Sequence, residues 1–230
     1  MAHLLHIDSS ARPGRSGSDA HGSHTRRLSH HFVQRWLAQH PADTVAYRDV
    51  GLTPPAPVTG AWIHSAFTPV DAREDWMRDT LAESDALVAE LIAADVIVIG
   101  APMYNFGMPA QLKAYIDNIV RVGLTFGFDR NRSAEPYWPM LTDKPRQVVV
   151  LTARGGYSYD GELAHLNHVE PALRAPLNYL GLSDFHSAAI EYDEFGDARL
   201  AASISRAEQQ VDALVEKLGG TVEARIEVAA

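Results

Sequence analysis

The segment Asp95-Val96-Ile97-Val98-Ile99-Gly100 limits what this chain can fold into more than any other. A half-exposed strand alternates apolar and polar residues, and this run does not. Unbroken β-branched residues suit a central parallel strand buried on both faces. Parallel neighbours must be reached by a crossover, usually a helix. The flanks supply one on each side. Leu87, Val88, Leu91 and Ile92 precede the run at helical spacing, and Leu112, Tyr115, Ile116, Ile119 and Val120 follow it.

The same alternation extends along the chain. Strands are predicted at residues 3–7, 43–50, 95–100, 147–152 and 185–191. Helices are predicted from Thr25 to His40-Pro41, from Leu81 through Ile92, from Leu112 through Val120, through Leu173 and Leu177 to Gly181, and over 198–218. Residues 52–80 and 124–143 show little periodicity and read as irregular. The pattern predicts an α/β fold: a flavodoxin-like doubly wound parallel sheet of five strands in the order 2-1-3-4-5, within three α/β/α layers. One domain should cover 1–220, with a flexible tail over 221–230. In such a sheet ligands bind at the carboxyl ends of the strands, near the switch in strand order. Three loops should converge there: 9–25, 101–108 and 152–157.

Composition narrows the ligand. The formal net charge of −9 disfavours nucleic acid and anionic membranes as partners. No run approaches the roughly 18 apolar residues of a membrane span. The N-terminal residues lack the basic region and cleavage site of a secretion signal, so cytoplasmic residence is expected. The absence of cysteine removes disulfides and thiolate chemistry. His21, His24, His30 and His31 lie close in sequence, but no carboxylate or cysteine sits at metal-ligand spacing, and no metal is expected. An anionic ligand must then be held by hydroxyls, backbone amides or a helix end.

The first loop carries such groups. Ser10, Ser23 and Thr25 bracket the start of the first helix, whose N-terminal N–H groups can hold a phosphate without lysine. Ser23 or Thr25 could equally be a helix cap. No GxxxxGK or GxGxxG follows the first strand, which leaves a monophosphate as the fitting anion. The second loop, Ala101-Pro102-Met103-Tyr104-Asn105-Phe106, offers a thioether, two aromatics and an amide, an apolar platform for a flat heteroaromatic ring. The third, Ala153-Arg154-Gly155-Gly156, allows close backbone approach at its glycines.

The run Asp95 to Phe106, followed by Gln111-Leu112-Lys113, closely resembles the FMN-dependent NADH:azoreductases of the flavodoxin-like quinone reductase superfamily. The resemblance extends to Ser9-Ser10, to Ser23-His24-Thr25 and to Ala153-Arg154-Gly155-Gly156. It implies FMN as bound cofactor, with Ser10, Ser23, His24 and Thr25 at its phosphate. Pro102, Met103, Tyr104, Asn105, Phe106, Ala153, Arg154, Gly155 and Gly156 would line its ring. It further implies a NAD(P)H:quinone or azo-compound oxidoreductase with NADH or NADPH as donor and hydride transfer through flavin N5. Ping-pong turnover and a homodimer with the active site at its interface complete that picture. No catalytic side chain is needed beyond those that hold the flavin. The first loop is longer than is usual in the family, making Ser16 and Ser18 rival phosphate ligands, and Ala153 stands where serine is frequent. Tyr179 matches a position able to reach the active site. An electron-carrier flavodoxin without substrate turnover is the alternative of another class, and a serine hydrolase is disfavoured because Ser10 lies in no Gly-x-Ser-x-Gly elbow.

Overall fold

The computed structural model of the chain describes residues 1–133 and 135–229, with side chains as far as Val222. Strands β1 (His3–Asp8), β2 (Thr44–Asp49), β3 (Val96–Pro102), β6 (Gln147–Ala153) and β7 (Asp184–Ile190) form one sheet in the order β2-β1-β3-β6-β7. Every pairing in it is parallel. This is the predicted order, with β3 at the centre. All seven residues of β3 and of β6 are buried.

The unbroken apolar runs have a direct explanation in the two core layers. Ile97 and Ile99 of β3, with Val148 and Val150 of β6, face one layer. Helices α3 (Asp75–Ala93), α4 (Ala110–Ile119) and α5 (Glu170–Leu180) cover it through Leu87, Leu112, Leu173 and their neighbours. Val96 and Val98, with Val149 and Leu151, face the other layer. There α1 (His24–Gln39) and α6 (Ala198–Ala229) bring Leu28, Phe32, Trp36, Val211 and Val215. Each fully buried Val, Leu or Ile contributes about 1.5–3 kcal/mol relative to exposure.

Three segments depart from the expectation. Residues 52–80 hold a helix, α2 (Gly60–Phe67), and the first turns of α3, which begins at Asp75 and not at Leu81. The buried residues of α2 are Ser65 and Ala66, so its apolar residues trace no core-facing stripe. Residues 124–143 include a small antiparallel hairpin, β4 (Phe126–Phe128) with β5 (Tyr137–Pro139). Its aromatics pack on one another and on Tyr179 of α5, so local ring stacking replaces periodicity. Finally, α6 runs without a break through Gly219-Gly220 to Ala229, past its predicted end at Leu218. A Cβ at Gly219 would lie 2.3 Å from Nε2 of His40, so this glycine permits close packing and does not end the helix. Of the expected tail over 221–230, Ala230 lies outside the described residues. Among the described residues no helix is long and apolar enough to cross a membrane.

Candidate active site

The carboxyl ends of β1, β3 and β6 bring the three predicted loops together, as the strand order requires. Ser9 fastens the first loop to the central strand, donating from both its backbone N–H (3.0 Å) and its hydroxyl (2.8 Å) to the carbonyl of Gly100. Ser10 follows, buried, with its Oγ accepting from the N–H of Arg12 at 3.2 Å. The lengthened loop then folds back on itself. Ser16 N–H donates to the carbonyl of Ser23, and Ser23 N–H to that of Gly14, each at 3.1 Å.

Ser23 is the N-cap of α1, with Oγ accepting from the N–H of Arg26 at 3.3 Å and lying 2.9 Å from Oγ1 of Thr25. The capping role and a place at the cleft therefore coexist in one residue. His24 and Thr25 open the first turn of the helix, where backbone N–H groups have no partner in the helical ladder. Ser16 reaches His24, with Oγ 2.8 Å from Nδ1. Ser18 lines a separate surface groove beside Arg27 and His31.

Arg26, which sequence reasoning did not single out, holds this loop in place. Its Nε donates to the carbonyl of Arg12 (2.9 Å) and its Nη2 to that of Ser10 (2.8 Å). Two further N–H groups grip Asp49, and Nη1 also reaches Tyr47 Oη at 3.1 Å. Asp8 completes the cluster, accepting from Ser29 Oγ (2.7 Å) and Tyr47 Oη (3.1 Å), with His6 Nε2 at 3.5 Å. Burial pushes the Asp8 carboxyl up. The neighbouring His6, Ser29 and Arg26 outweigh that and hold it below the ordinary carboxylate value.

The second loop forms a tight turn. Tyr104 and Gly107 exchange backbone hydrogen bonds of 2.9 and 3.1 Å, and the residues between them have positive φ, 48° at Asn105 and 70° at Phe106. Positive φ at both central positions is the signature of a type I′ turn. Non-glycine residues held there carry strain, a common property of functional loops. Among the described residues, no hydrogen bond takes up the N–H of Asn105 or of Phe106. Three ties fix the turn. Met103 N–H donates to the carbonyl of Ala153 (2.9 Å), His168 N–H to that of Phe106 (2.9 Å), and Ala11 N–H to Tyr104 Oη (3.2 Å).

The third loop differs from expectation at Arg154. Its side chain turns inward, buried, and pairs with Asp160 (2.9 and 3.0 Å), Glu191 (3.5 Å) and Glu170. Burial lowers the guanidinium pKa, but the hydrogen bond to Asp160 and the charge of Glu170 outweigh it, so the group stays cationic. A cation buried beside three carboxylates is engaged, and so is the Arg154 backbone, whose N–H donates to the carbonyl of Ile190 at 2.8 Å. A fourth loop, 192–195 after β7, then wraps around the third. The N–H groups of Tyr192, Asp193 and Glu194 donate to the carbonyls of Gly156, Arg154 and Gly155 at 2.9, 3.2 and 3.2 Å.

These four loops enclose a cleft of about 300 Å³. Of the residues singled out in the sequence, Ser10, Ser23, His24, Pro102, Met103, Tyr104, Asn105, Ala153 and Gly155 line it. Thr25, Phe106, Arg154 and Gly156 do not: Thr25 is buried behind Ser23, and the ring of Phe106 is exposed. Tyr179 packs on Phe126 and Tyr137, away from the cleft. Among the described residues, none of 52–80 or 124–143 lines it. Arg12, Asp193 and Glu194 are additional wall residues. The paired acids directly after the last strand were the available signal for the fourth loop, which was missed because β7 is an edge strand.

Residues 2–215 match a family described as having a flavodoxin-like fold. The FMN-dependent NADH:quinone oxidoreductase 2 of Idiomarina loihiensis is 40% identical over 218 residues, spanning 95% of this chain and 91% of that protein. This chain belongs to the flavodoxin-like FMN-dependent NADH:quinone oxidoreductase family. Another member, the FMN-dependent NAD(P)H:quinone oxidoreductase 1 of Pseudomonas aeruginosa, is 38% identical over 93% of this chain and 98% of its own. Among solved structures, an azoreductase from Bacillus anthracis superposes with a TM-score of 0.81 at 22% identity, covering 94% of this chain and 100% of that one. A second B. anthracis structure, an FMN-dependent NADH-azoreductase in complex with FMN, gives 0.79 at 18% identity over 95% and 99%. At these identities the two structures establish a shared fold.

Proposed function

We propose that this chain is an FMN-dependent NAD(P)H:quinone oxidoreductase that also reduces azo compounds. The observation that carries this reading is the arrangement of donors about the cleft. The opening turn of α1 contributes Ser23 and His24 to its wall, with Ser10 beside them in the chain's first loop. The strained turn 104–107 contributes Tyr104 and Asn105, and the N–H groups of Asn105 and Phe106 are free of protein acceptors among the described residues. A phosphate monoester suits the first, and the polar edge of a flat ring suits the second. Met103 and Tyr104 supply apolar surface. FMN fits this set of groups.

Bound FMN would supply the redox chemistry: two-electron uptake of hydride at N5 and its delivery to a second substrate. The protein's part is to bind, orient and exclude. The Asn105 and Phe106 N–H groups would donate to the ring edge, fixed in direction because the turn has no slack. The Gly155 N–H would face another edge of the ring, where donors stabilise developing negative charge. No side chain need transfer a proton, since water can. One cleft visited in turn by nicotinamide and acceptor gives ping-pong kinetics, and residence in the cytoplasm suits an NAD(P)H-dependent enzyme. A homodimer with the cleft at its interface belongs to the same reading, supported by the exposed Tyr104, Phe106, Tyr157 and Phe195 on the loops around the cleft.

The purified apoprotein should take up FMN stoichiometrically, develop a bound-flavin visible spectrum, and oxidise NADH with a quinone giving parallel double-reciprocal lines. Failure to bind FMN overturns the reading. Binding without turnover would make the protein an electron carrier. Light scattering in solution tests the dimer.

A further inference from the structure

One contact in the cleft runs against the binding of an anion there. Asp193, at the rim, lies with Oδ1 3.1 Å from His24 Nε2 and Oδ2 3.6 Å from Arg12 Nη1. The other nitrogen of His24 faces Ser16 Oγ at 2.8 Å, so the imidazole is held between the two. Both side chains that can present positive charge to the cleft are thus turned toward one carboxylate. Glu194, the second acid on the wall, lies elsewhere, against Gly155. Two ties fix the reach of Asp193, because its backbone N–H and that of Glu194 are bonded to the third loop.

We propose that Asp193 is a built-in counter-anion that competes with a phosphate monoester for His24 and Arg12. It thereby sets how strongly the cleft prefers FMN over riboflavin, which lacks the phosphate. The proposal rests on the FMN reading above and adds a specificity-determining residue to it. A phosphate ester arriving at Ser10, Ser23 and the first turn of α1 brings nearly two negative charges. The carboxylate must then yield His24 and Arg12 to the ligand, or repel it. The hydrogen bond from His24, with the charges of His24 and Arg12, holds the Asp193 carboxyl below its ordinary value. It is therefore a full anion at neutral pH. Riboflavin meets no such competition, since it has no phosphate to seek those two basic side chains.

The test titrates apoprotein with FMN and with riboflavin, following flavin fluorescence, for the wild type, Asp193→Asn and Asp193→Ser. Circular dichroism verifies the fold, and the second neutral variant guards against an effect peculiar to one side chain. The expected result is a rise of about tenfold in the FMN-to-riboflavin affinity ratio, the effect an adjacent unit charge has on an ionic equilibrium. Riboflavin affinity should move far less than FMN affinity. An unchanged or lowered ratio in the two variants overturns the proposal. A parallel loss for both flavins also overturns it, because Asp193 would then be a ligand of the shared ribityl chain. If wild type binds FMN and the ratio does not move, only this inference falls. If wild type binds neither flavin, the functional reading falls with it.

Discussion

Arg26 and Asp49 meet as a bidentate pair, Nη1 to Oδ2 and Nη2 to Oδ1, both at 2.7 Å. Such a fork fixes the guanidinium plane as well as its position. The remaining N–H groups are thereby aimed at the carbonyls of Ser10 and Arg12 and at Tyr47. A pair between β2 and α1 thus sets the path of the loop that carries Ser10.

Removing the cation should therefore cost both stability and cofactor. Arg26→Met strands the Asp8 and Asp49 carboxylates and should lower unfolding free energy by about 3–5 kcal/mol, the range for breaking one side of a buried pair. Arg26→Lys keeps the charge but cannot make the fork, so it should fall between the two while still weakening FMN. Urea unfolding with FMN titration checks both. Full FMN affinity in Arg26→Lys would mean that the charge alone suffices.

The same cluster makes stability depend on pH. Burial pushes the Asp49 carboxyl up, but hydrogen bonds from Arg26 and the Leu52 N–H hold it below its ordinary value of 3.8, and Asp8 is held low in the same direction. A group with a depressed folded pKa stabilises the fold above its unfolded value and loses that contribution as pH falls through the folded one. Urea midpoints should be flat near neutrality and drop as pH descends from about 4 toward 2. Asp49→Asn should be less stable at neutrality and show a shallower acid slope.

Gly51 closes the back of the Ser10 loop. A Cβ there would lie 2.2 Å from the carbonyl oxygen of Ser10, a backbone atom with little freedom to yield. Gly51→Ala should cost roughly 1–3 kcal/mol by overpacking, and weaken FMN binding by about tenfold through displacement of Ser10. Gly60→Ala, with nothing within 4 Å, is the control and should be neutral or slightly stabilising. Equal behaviour of the two variants in FMN titration would refute the coupling.

Phe106 holds a φ of 70°, a conformation costing roughly 1–2 kcal/mol for an L-residue other than glycine. Phe106→Gly should relieve part of that and raise the thermal midpoint. The loosened turn should at the same time raise KM for the quinone or weaken FMN. A variant more stable and equally active would show that the strain serves no purpose in the site.

The sheet was legible because the β3 run sends alternate residues into two separate cores, a requirement visible as an unbroken apolar string. The turn 104–107 was legible in its residue types, though not in its positive φ values. Other parts left no such trace. Arg26 sits among the arginines and histidines of α1 and reads like a solvated helix face until β2 brings Asp49 beside it. Arg154 reads like a site residue because it stands between site residues, yet a side chain can leave a loop on the side opposite its backbone. Helix α2 escaped because it buries Ser65 and Ala66, and Asp193 because its partners His24 and Arg12 lie in the first loop, at the other end of the chain.

The central strands on which the site stands are buried along their whole length, in β3 and β6 alike. Segments of that kind open only when the whole molecule does, so their amide hydrogens should be the last to exchange with solvent. The loops at their ends carry their own exposed turns and can open independently. A ligand seated across those loops would slow exchange in 9–25, 104–107 and 192–195 first. Exchange in β3 would slow only as far as binding raises global stability. The molecule therefore separates two time scales within a few residues of chain: Pro102 ends a strand exchanging on the slow one, and Asn105 already belongs to the fast one.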